Sequence, residues 1–539
     1  MTTNILITGA LHEQALAAFK TRAKGSGMGT SDRSEIRYHP DGSRTELMSI
    51  VKSAHVLVTR SETDVDREVI DAAPDLRIIA RAAVGVGNID ISYATEKGIL
   101  VINCPGKNTN SAAELTMGLL LAMLRNIPQA HQSMKQGAWD RHRFTGHEAR
   151  GLRIGIVGLG NVGHRVAKFA HGFDMEVFAY DPYIAPHVFE RHGAKPCKSL
   201  RELAENVDVL TVHVPLNQET RGMVSGEILD LMPKGSRVLN VARGGVIGEV
   251  DLLKRMESGQ ISGAGIDTWD KEPKPLAALV QHPHVWCAPH IGASTDEAQL
   301  AIGETIVEQV FKAIEGGVVD YPVNLPEVGV IDHALLRSYA LLAEKIGALM
   351  GQMLDFNPSR VELGYRGDLA KLDHSLIRLS WMKGYTAQVV DDYVSFVNVT
   401  SHIEKLGLNV VEVEDSDSAS YKSALRVLLT GAGGKSLTVG GIVFDETYLR
   451  ISAVNDFMFE IDPSGTLILV ENHDKPGVIG DVGHYLASKG INIDSFELSR
   501  NRKGGKAMAL IKVDAERGAI DIKSMSALPN IVNVRVANL

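Results

Sequence analysis

An α/β architecture is predicted for this chain: two doubly wound parallel sheets, then an α+β segment, then a small ferredoxin-like unit. Three observations predict it. Short apolar β runs alternate with helical stretches through the first half, which implies parallel strands covered by helices. Between one strand and the next helix stands Gly158-Leu159-Gly160-Asn161-Val162-Gly163, and the following strand closes on Asp181. From Gly465 onward the order is strand, helix, strand, strand, helix, strand, which is the ferredoxin-like sequence of elements.

The elements follow in order. NILITG, EIRYH, HVLVT, LRIIAR and ILVINC are the expected strands of the first sheet, with a polar, glycine-rich surface excursion at Gly25 to Asp32. Ser111–Arg125 reads as a helix, followed by the basic cluster Trp139-Asp140-Arg141-His142-Arg143. The second sheet begins at Arg153 and continues through DVLTVHVPL, RVLNVARGG, ISGAGID and HVWCAPH, with a helix at 294–315 after it. VVDYPVNLP marks a domain exit. Beyond it, Leu336, Tyr339, Leu342, Ile346, Leu349 and Met353 recur at helical spacing and predict one buried face. DYVSFVNV, NVVEVED, ALRVLLTG, SLTVGGIVF and MFEID are then read as strands. The closing unit comprises TLILVE, the turn NHDKPG, a helix at 478–489, INIDSFELS, KAMALIKVD, a helix and IVNVRVAN.

The chain has 539 residues, too many for one core, so three or four domains are expected. A formal charge of −9 speaks against a nucleic-acid binder, and it means that an anionic ligand needs a local basic cluster. Cys104, Cys197 and Cys287 are scattered and lack CxxC spacing. They read as small buried hydrophobes in a reducing compartment. MTTNILITGA carries no basic leader, and the longest apolar run, Met117–Leu124, falls short of a membrane span. A cytoplasmic protein is expected. No His/Cys/Asp cluster has ligand spacing, so metal chemistry is not expected.

The glycine pattern in its strand–helix setting, with an acid some twenty residues on, is the dinucleotide fingerprint of a Rossmann-like domain. Gly158 permits the tight turn, Gly160 lets backbone approach a pyrophosphate, and Gly163 lets the helix pack on the sheet. The pyrophosphate then lies at a helix N-terminus. Asp181 accepts from ribose hydroxyls and repels a 2′-phosphate, and no Arg or Lys follows it directly, so NAD is expected rather than NADP.

Three polar residues mark strand ends in this half: Arg243 in NVARGG, Glu272 in DKEP and His290 in PHIGAST. Removing a hydride from an alcohol carbon needs a base for the hydroxyl proton, which imidazole suits near neutral pH. A carboxylate beside the ring would hold its tautomer, and a guanidinium would clamp a substrate carboxylate. Arg60 in TRSETDV and Arg81 in RAAVGVGNID sit at strand ends of the first sheet, the latter beside Gly85 and Gly87. Taken singly, each has a plainer reading as a loop histidine, a surface acid or an ion-pair arginine.

NVARGG, the acid-Pro of DKEP, and PHIGAST match the three signature regions of the D-isomer-specific 2-hydroxyacid dehydrogenases, and NCPGKNTNSAAE and VPLNQET are further blocks of that kind. The resemblance covers the whole chain, because a catalytic core, a long intervening domain and a C-terminal ACT-like domain together look like the family's long phosphoglycerate-oxidising form. It implies a substrate domain at 1–103 completed by 296–325, an NAD-binding domain at 104–295, an intervening regulatory domain at 326–464 and an ACT domain at 465–539. The activity implied is oxidation of D-3-phosphoglycerate to 3-phosphohydroxypyruvate by NAD, the first step of phosphorylated serine synthesis. His290 is then the acid/base, Glu272 its partner and Arg243 the carboxylate-binding residue. Arg60 and Arg81 match substrate-binding positions, and Arg141 one that reaches a neighbouring subunit's site. With the fingerprint residues, Val84, Val214, Val241, Ala242, Arg243, Asp267, His290, Gly292 and Ala293 match positions that line the cofactor. ACT domains pair and bind amino acids between them, which implies a homo-oligomer and makes Asn472, Asp474 and Asn492 candidates for L-serine; the plainer reading of Asp474-Lys475-Pro476-Gly477 is a turn.

The chain departs from the family pattern at Ala83 and Gly87, where a glycine and an aspartate are usual, and at Gly248, where an acid is usual. Two other functions stay open at this point. One is a dehydrogenase acting on another small acid of the hydroxypyruvate/glyoxylate or 2-hydroxyglutarate type. The other is a non-catalytic NAD-sensing binding protein, against which the regulatory tail argues.

Overall fold

The computed structural model describes residues 2–24, 34–40, 43–315, 319–325, 334–417 and 421–539. Gly25 to Asp32 lies outside the described residues. In the first sheet, Thr3–Thr8, Ser34–His39, Val56–Thr59, Ile78–Arg81 and Leu100–Ile102 are parallel, in the spatial order second, first, third, fourth, fifth. Its inner strands are buried on both faces because both are covered, whereas the edge strand Ser34–His39 is polar and partly exposed. On one face Ile5, Ile7, Val56 and Val58 meet Phe19 of the Glu13–Lys24 helix and Ile302, Ile306 and Phe311 of the Asp296–Ile314 helix. That late helix returns to the first sheet, and Val323 N donates to Val101 O at 2.8 Å just beyond it.

The second sheet has seven parallel strands, and Arg153–Val157 lies between Val209–Val212 and Glu176–Tyr180. Glu176–Tyr180 and Lys195–Pro196 extend it one way; Val209–Val212, Ser236–Asn240, Ile261–Ile266 and Val285–Cys287 extend it the other. The direction of winding reverses beside Arg153–Val157, so a crevice opens at the carboxyl ends of the strands there. Asp208 pins the root of this switch point. Its carboxylate accepts from Arg153 Nε at 3.0 Å, Nη2 at 2.7 Å and the backbone N at 2.9 Å. The guanidinium holds the Asp208 carboxyl below the usual carboxylate range, against the upward push of burial. A depressed value means stabilisation that is complete above the ordinary carboxylate range and lost as pH falls through the lowered value. Asp208→Asn is therefore expected to cost about 1–2 kcal/mol at pH 7, a difference that shrinks below about pH 4 in chemical denaturation.

Beyond residue 333 a six-stranded mixed sheet carries the Ala334–Met353 and Ser375–Thr386 helices on one face. Tyr339, Trp381 and Tyr365 fill the core between them, and all six periodic residues from Leu336 to Met353 are buried. The helices cross at glycines: a Cβ on Gly384 would stand 2.0 Å from Glu344 O. Two strands, Pro358–Gly367 and Tyr448–Val454, occupy stretches with no strand expectation.

DYVSFVNV is not a strand. Residues 391–398 form an irregular turn that leads into the Val399–Lys405 helix. Local side-chain bonds outcompete the β pattern: Asn398 accepts from Ser395 N at 2.9 Å and donates to Tyr393 O at 2.8 Å. The same turn docks on the first sheet's connections, with Ser395 Oγ donating to Gly98 O at 2.8 Å and the Arg77 guanidinium 4.1 Å from the Tyr393 ring centre.

The last unit is a four-stranded antiparallel sheet with Thr466–His473 between Lys506–Val513 and Ile531–Asn538, and Ile493–Arg500 at the edge. Its helices cover one face. The other face, with Leu467, Leu469, Met508 and Leu510, joins the core built around Tyr339 and Trp381. The cysteine expectation also needs correcting: Cys104 and Cys197 are buried, but Cys287 is exposed, at the end of the edge strand of its sheet. Among the described residues no helix is long and apolar enough to cross a membrane, and no His/Cys/Asp/Glu group could hold a metal ion.

Candidate active site

The fingerprint loop is shaped by its glycines for three different reasons. Gly158 has φ +88°, and a Cβ there would stand 2.7 Å from Val214 Cγ1 and 2.8 Å from His213 O. A Cβ on Gly163 would lie 2.0 Å from Gly158 O, so the helix reaches the sheet only without one. At Gly160, which caps the Asn161–Gly172 helix, an added Cβ would meet no atom within 4 Å. Open space at a capping glycine, over the free first-turn N–H groups near Asn161 and Val162, is what an approaching pyrophosphate requires. Gly163→Ala is thus expected to cost about 1–3 kcal/mol of stability by overpacking. Gly160→Ala should cost less than about 1 kcal/mol unliganded, yet weaken dinucleotide binding at least tenfold. Thermal melts with and without dinucleotide separate the two.

Asp181 follows the Glu176–Tyr180 strand and ties its end to the loop, accepting from Leu159 N and from Tyr183 N, each at 3.0 Å. On the far side of the crevice a Cβ on Gly292 would meet Asp267 Oδ2 at 3.2 Å and Val241 Cγ1 at 3.3 Å, so these candidates do converge. Val84 is held there from the first sheet, its carbonyl accepting from Asn103 Nδ2 at 2.8 Å.

His290 has a left-handed backbone, φ +57°, which costs about 1–3 kcal/mol outside glycine and persists only where its surroundings fix it. Asp267 does the fixing. It is fully buried, and it accepts from His290 N through its backbone carbonyl at 2.9 Å. Its carboxylate accepts from Ile291 N at 2.7 Å and Gly292 N at 2.9 Å. Burial pushes the Asp267 carboxyl up, and those N–H groups pull it back. His290 Nδ1 lies 2.7 Å from Glu272 Oε2, while Glu272 Oε1 accepts from Trp269 N at 3.0 Å. Burial pushes the Glu272 carboxyl up, but the bonds from His290 and Trp269 and the charge of Arg243 win and leave it lowered. Glu272 is therefore an anion aimed at Nδ1, which leaves Nε2 outside that bond on a partly exposed ring.

Arg243 reaches across that crevice: a Cβ on Gly85, in the first sheet's loop, would stand 3.1 Å from Arg243 Nη2. Its Nη1 donates to Ala242 O at 2.6 Å. Asn240 shapes the turn, accepting from Ala242 N at 3.1 Å and donating to Arg243 O at 2.9 Å. Arg81 is 6% exposed, yet its Nε and Nη1 have no hydrogen-bond partner among the described residues. Burial above all, and then the positive charge of Arg60 and Arg243, pushes the Arg81 guanidinium down to about 10. Three arginines thus share one field with unspent donors, an arrangement an anion would satisfy. The departures do not disturb it. Ala83 avoids the left-handed region, a Cβ on Gly87 would meet nothing within 4 Å, and Gly248 caps the Glu249–Glu257 helix.

Other candidates stand apart. Arg141 lies in the exposed turn Arg141–Phe144 and makes no hydrogen bond or ion pair with the described site residues. In the last unit Asn472 is buried with Oδ1 unpartnered, and Asp474 accepts from Gly504 N at 2.8 Å. Asn492 sits at the opposite end of the sheet: Asn472 pairs with Ala507 and so with Arg500, whereas Ile493 pairs with Val513. One chain does not bring Asn492 to the other two. Sequence reasoning missed Asn240, Trp269 and Asn88, whose Nδ2 donates to Arg60 O at 2.9 Å. Their only signal was proximity to glycine-rich strand ends.

Three family models match the chain: the D-isomer specific 2-hydroxyacid dehydrogenase NAD binding domain at residues 117–292, the D-3-phosphoglycerate dehydrogenase intervening domain at 335–455, and the ACT domain at 466–529. The chain is 38% identical to a D-3-phosphoglycerate dehydrogenase of Methanocaldococcus jannaschii over 99% of each chain. It is 35% identical to one of Bacillus subtilis over 90% of this chain and 92% of that one. Among solved structures, a D-lactate dehydrogenase of Aquifex aeolicus complexed with NAD and lactic acid superposes with a TM-score of 0.52 at 26% identity, over 60% of this chain and all (100%) of that one.

Proposed function

The chain belongs to the D-isomer-specific 2-hydroxyacid dehydrogenase family, and on that footing we propose that it oxidises D-3-phosphoglycerate to 3-phosphohydroxypyruvate with NAD. The observation that carries the reading is the meeting of a Glu272–His290 pair with Arg243, Arg81 and Arg60 across one crevice. A 2-hydroxy acid with a second anionic group calls for a proton acceptor, a carboxylate clamp and a second anion site from the protein, which those groups provide.

Arg243 binds the substrate carboxylate and polarises the adjacent C2–O bond. Arg81 and Arg60 take the phosphate. His290 Nε2 accepts the hydroxyl proton as C2 becomes a carbonyl carbon, and Glu272 steadies the imidazolium through Nδ1. The fingerprint loop, Asp181 and the lining from Val84, Val214, Val241, Ala242, Asp267, Gly292 and Ala293 would hold NAD, which when bound would supply the two-electron acceptor for the C2 hydrogen. The residues fit that cofactor: the space over Gly160 is open, and Asp181 carries no ion pair among the described residues and is followed by Pro182 and Tyr183. A cytoplasmic location goes with this role.

The ACT unit is proposed to bind L-serine between two copies, Asn472 and Asp474 of one facing a second copy's Asn492. That pairing, and an Arg141 extended to a neighbour's substrate, both require a homo-oligomer; light scattering that finds only monomer would remove both. NADH formation from D-3-phosphoglycerate at alkaline pH, with and without L-serine, tests the reading. Turnover that serine lowers is the expected result. Turnover indifferent to serine keeps the enzyme and discards the effector. No turnover with NAD bound discards the substrate.

A further inference from the structure

The one arginine of the trio that lies furthest in sequence from the catalytic loop is tied to it by a single carboxamide. Gln299 stands in the first turns of the Asp296–Ile314 helix, which packs on the first sheet but begins where the loop after His290 ends. Its Oε1 accepts from Arg60 Nη1 at 2.5 Å, and its Nε2 donates to Ala293 O at 2.7 Å. Only one orientation of the amide is possible, since a guanidinium can only donate and a carbonyl can only accept. Arg60 Nη1 is also held by Ala10 O at 2.7 Å, while its Nε is buried without a partner among the described residues. Gln299 thus fixes one edge of the guanidinium without adding a negative charge; at Arg81 the carboxylate that opposes Arg60 and Arg243 is Glu62.

We propose that Gln299 is a positioning residue that sets specificity for a substrate bearing a second anionic group, by holding Arg60 in register with the loop that carries His290. The proposal rests on Arg60 being a phosphate ligand. A neutral carboxamide is the side chain the position calls for. A carboxylate there would bind Arg60 as an ion pair, cancel the charge the phosphate needs, and set an oxygen against Ala293 O. A thioether would free both partners without cancelling the charge.

The test compares D-3-phosphoglycerate with D-glycerate, the same acid without its phosphate, in the parent, Gln299→Glu and Gln299→Met full-length enzymes. The expected result for Gln299→Glu is a fall of at least tenfold in the kcat/KM ratio of phosphorylated to unphosphorylated substrate, carried by KM. Gln299→Met should lie between it and the parent. NAD affinity, measured by protein fluorescence quenching, should match the parent in both. Equal losses on the two substrates, or an unchanged ratio in both variants, would overturn the proposal. A parent enzyme that does not prefer the phosphorylated acid would instead overturn the phosphate assignment to Arg60. Should Gln299→Glu fail to fold, the ratio in Gln299→Met decides alone, with at least a threefold fall expected and no change counting against it.

Discussion

His290→Asn is expected to lower kcat for D-3-phosphoglycerate oxidation by about 100- to 10,000-fold, the range a lost general base produces. Asparagine is the informative replacement. It tolerates the left-handed backbone that His290 adopts at φ +57°, so the three N–H bonds that Asp267 accepts keep the loop in place. It cannot take a proton. Dinucleotide binding should survive, because the fingerprint loop makes no demand on the imidazole. A loss below tenfold would move the base elsewhere in the crevice. Loss of dinucleotide binding together with activity would reassign His290 to holding the loop.

Arg243→Ala is expected to cut kcat/KM by about two to four orders of magnitude, the worth of two charge-assisted bonds at about 1.5–3 kcal/mol each. Part of the loss arises next door, because Arg243 is among the groups that lower Glu272. Arg243→Lys should recover only a fraction: an ammonium restores the charge but not the planar fork. Steady-state kinetics on both variants check this. A lysine variant equal to the parent would mean that charge alone suffices and would remove the bidentate clamp.

Periodicity made the parallel sheets and the fingerprint legible because buried strands and tight glycine turns leave local marks. The inner strands of the first sheet are mostly apolar, and Gly158 and Gly163 each answer to a neighbour only a few residues or one strand away, while Gly160 keeps its space open. What failed was decided at longer range or by side-chain bonds. DYVSFVNV carries a β composition, yet Ser395 and Asn398 turn it and Gly98, far back in the chain, anchors it. Cys287 looks like its two buried counterparts, but its strand is an edge. In the site, residue types announced the base, the acid and the clamp. Their supports did not announce themselves: Asn240, Trp269, Asn88 and Gln299 act through hydrogen bonds to backbone or to another side chain, and nothing in their spacing marks such bonds.

The most direct test of the proposed reaction is the fate of the C2 hydrogen. D-3-phosphoglycerate carrying deuterium at C2 is turned over with NAD, and the reduced dinucleotide is examined by mass spectrometry. The expected result is deuterium retained in the reduced dinucleotide, one per turnover, as hydride removal from C2 with His290 taking only the hydroxyl proton requires. Deuterium lost to water, or reduced dinucleotide formed without it, would contradict that chemistry.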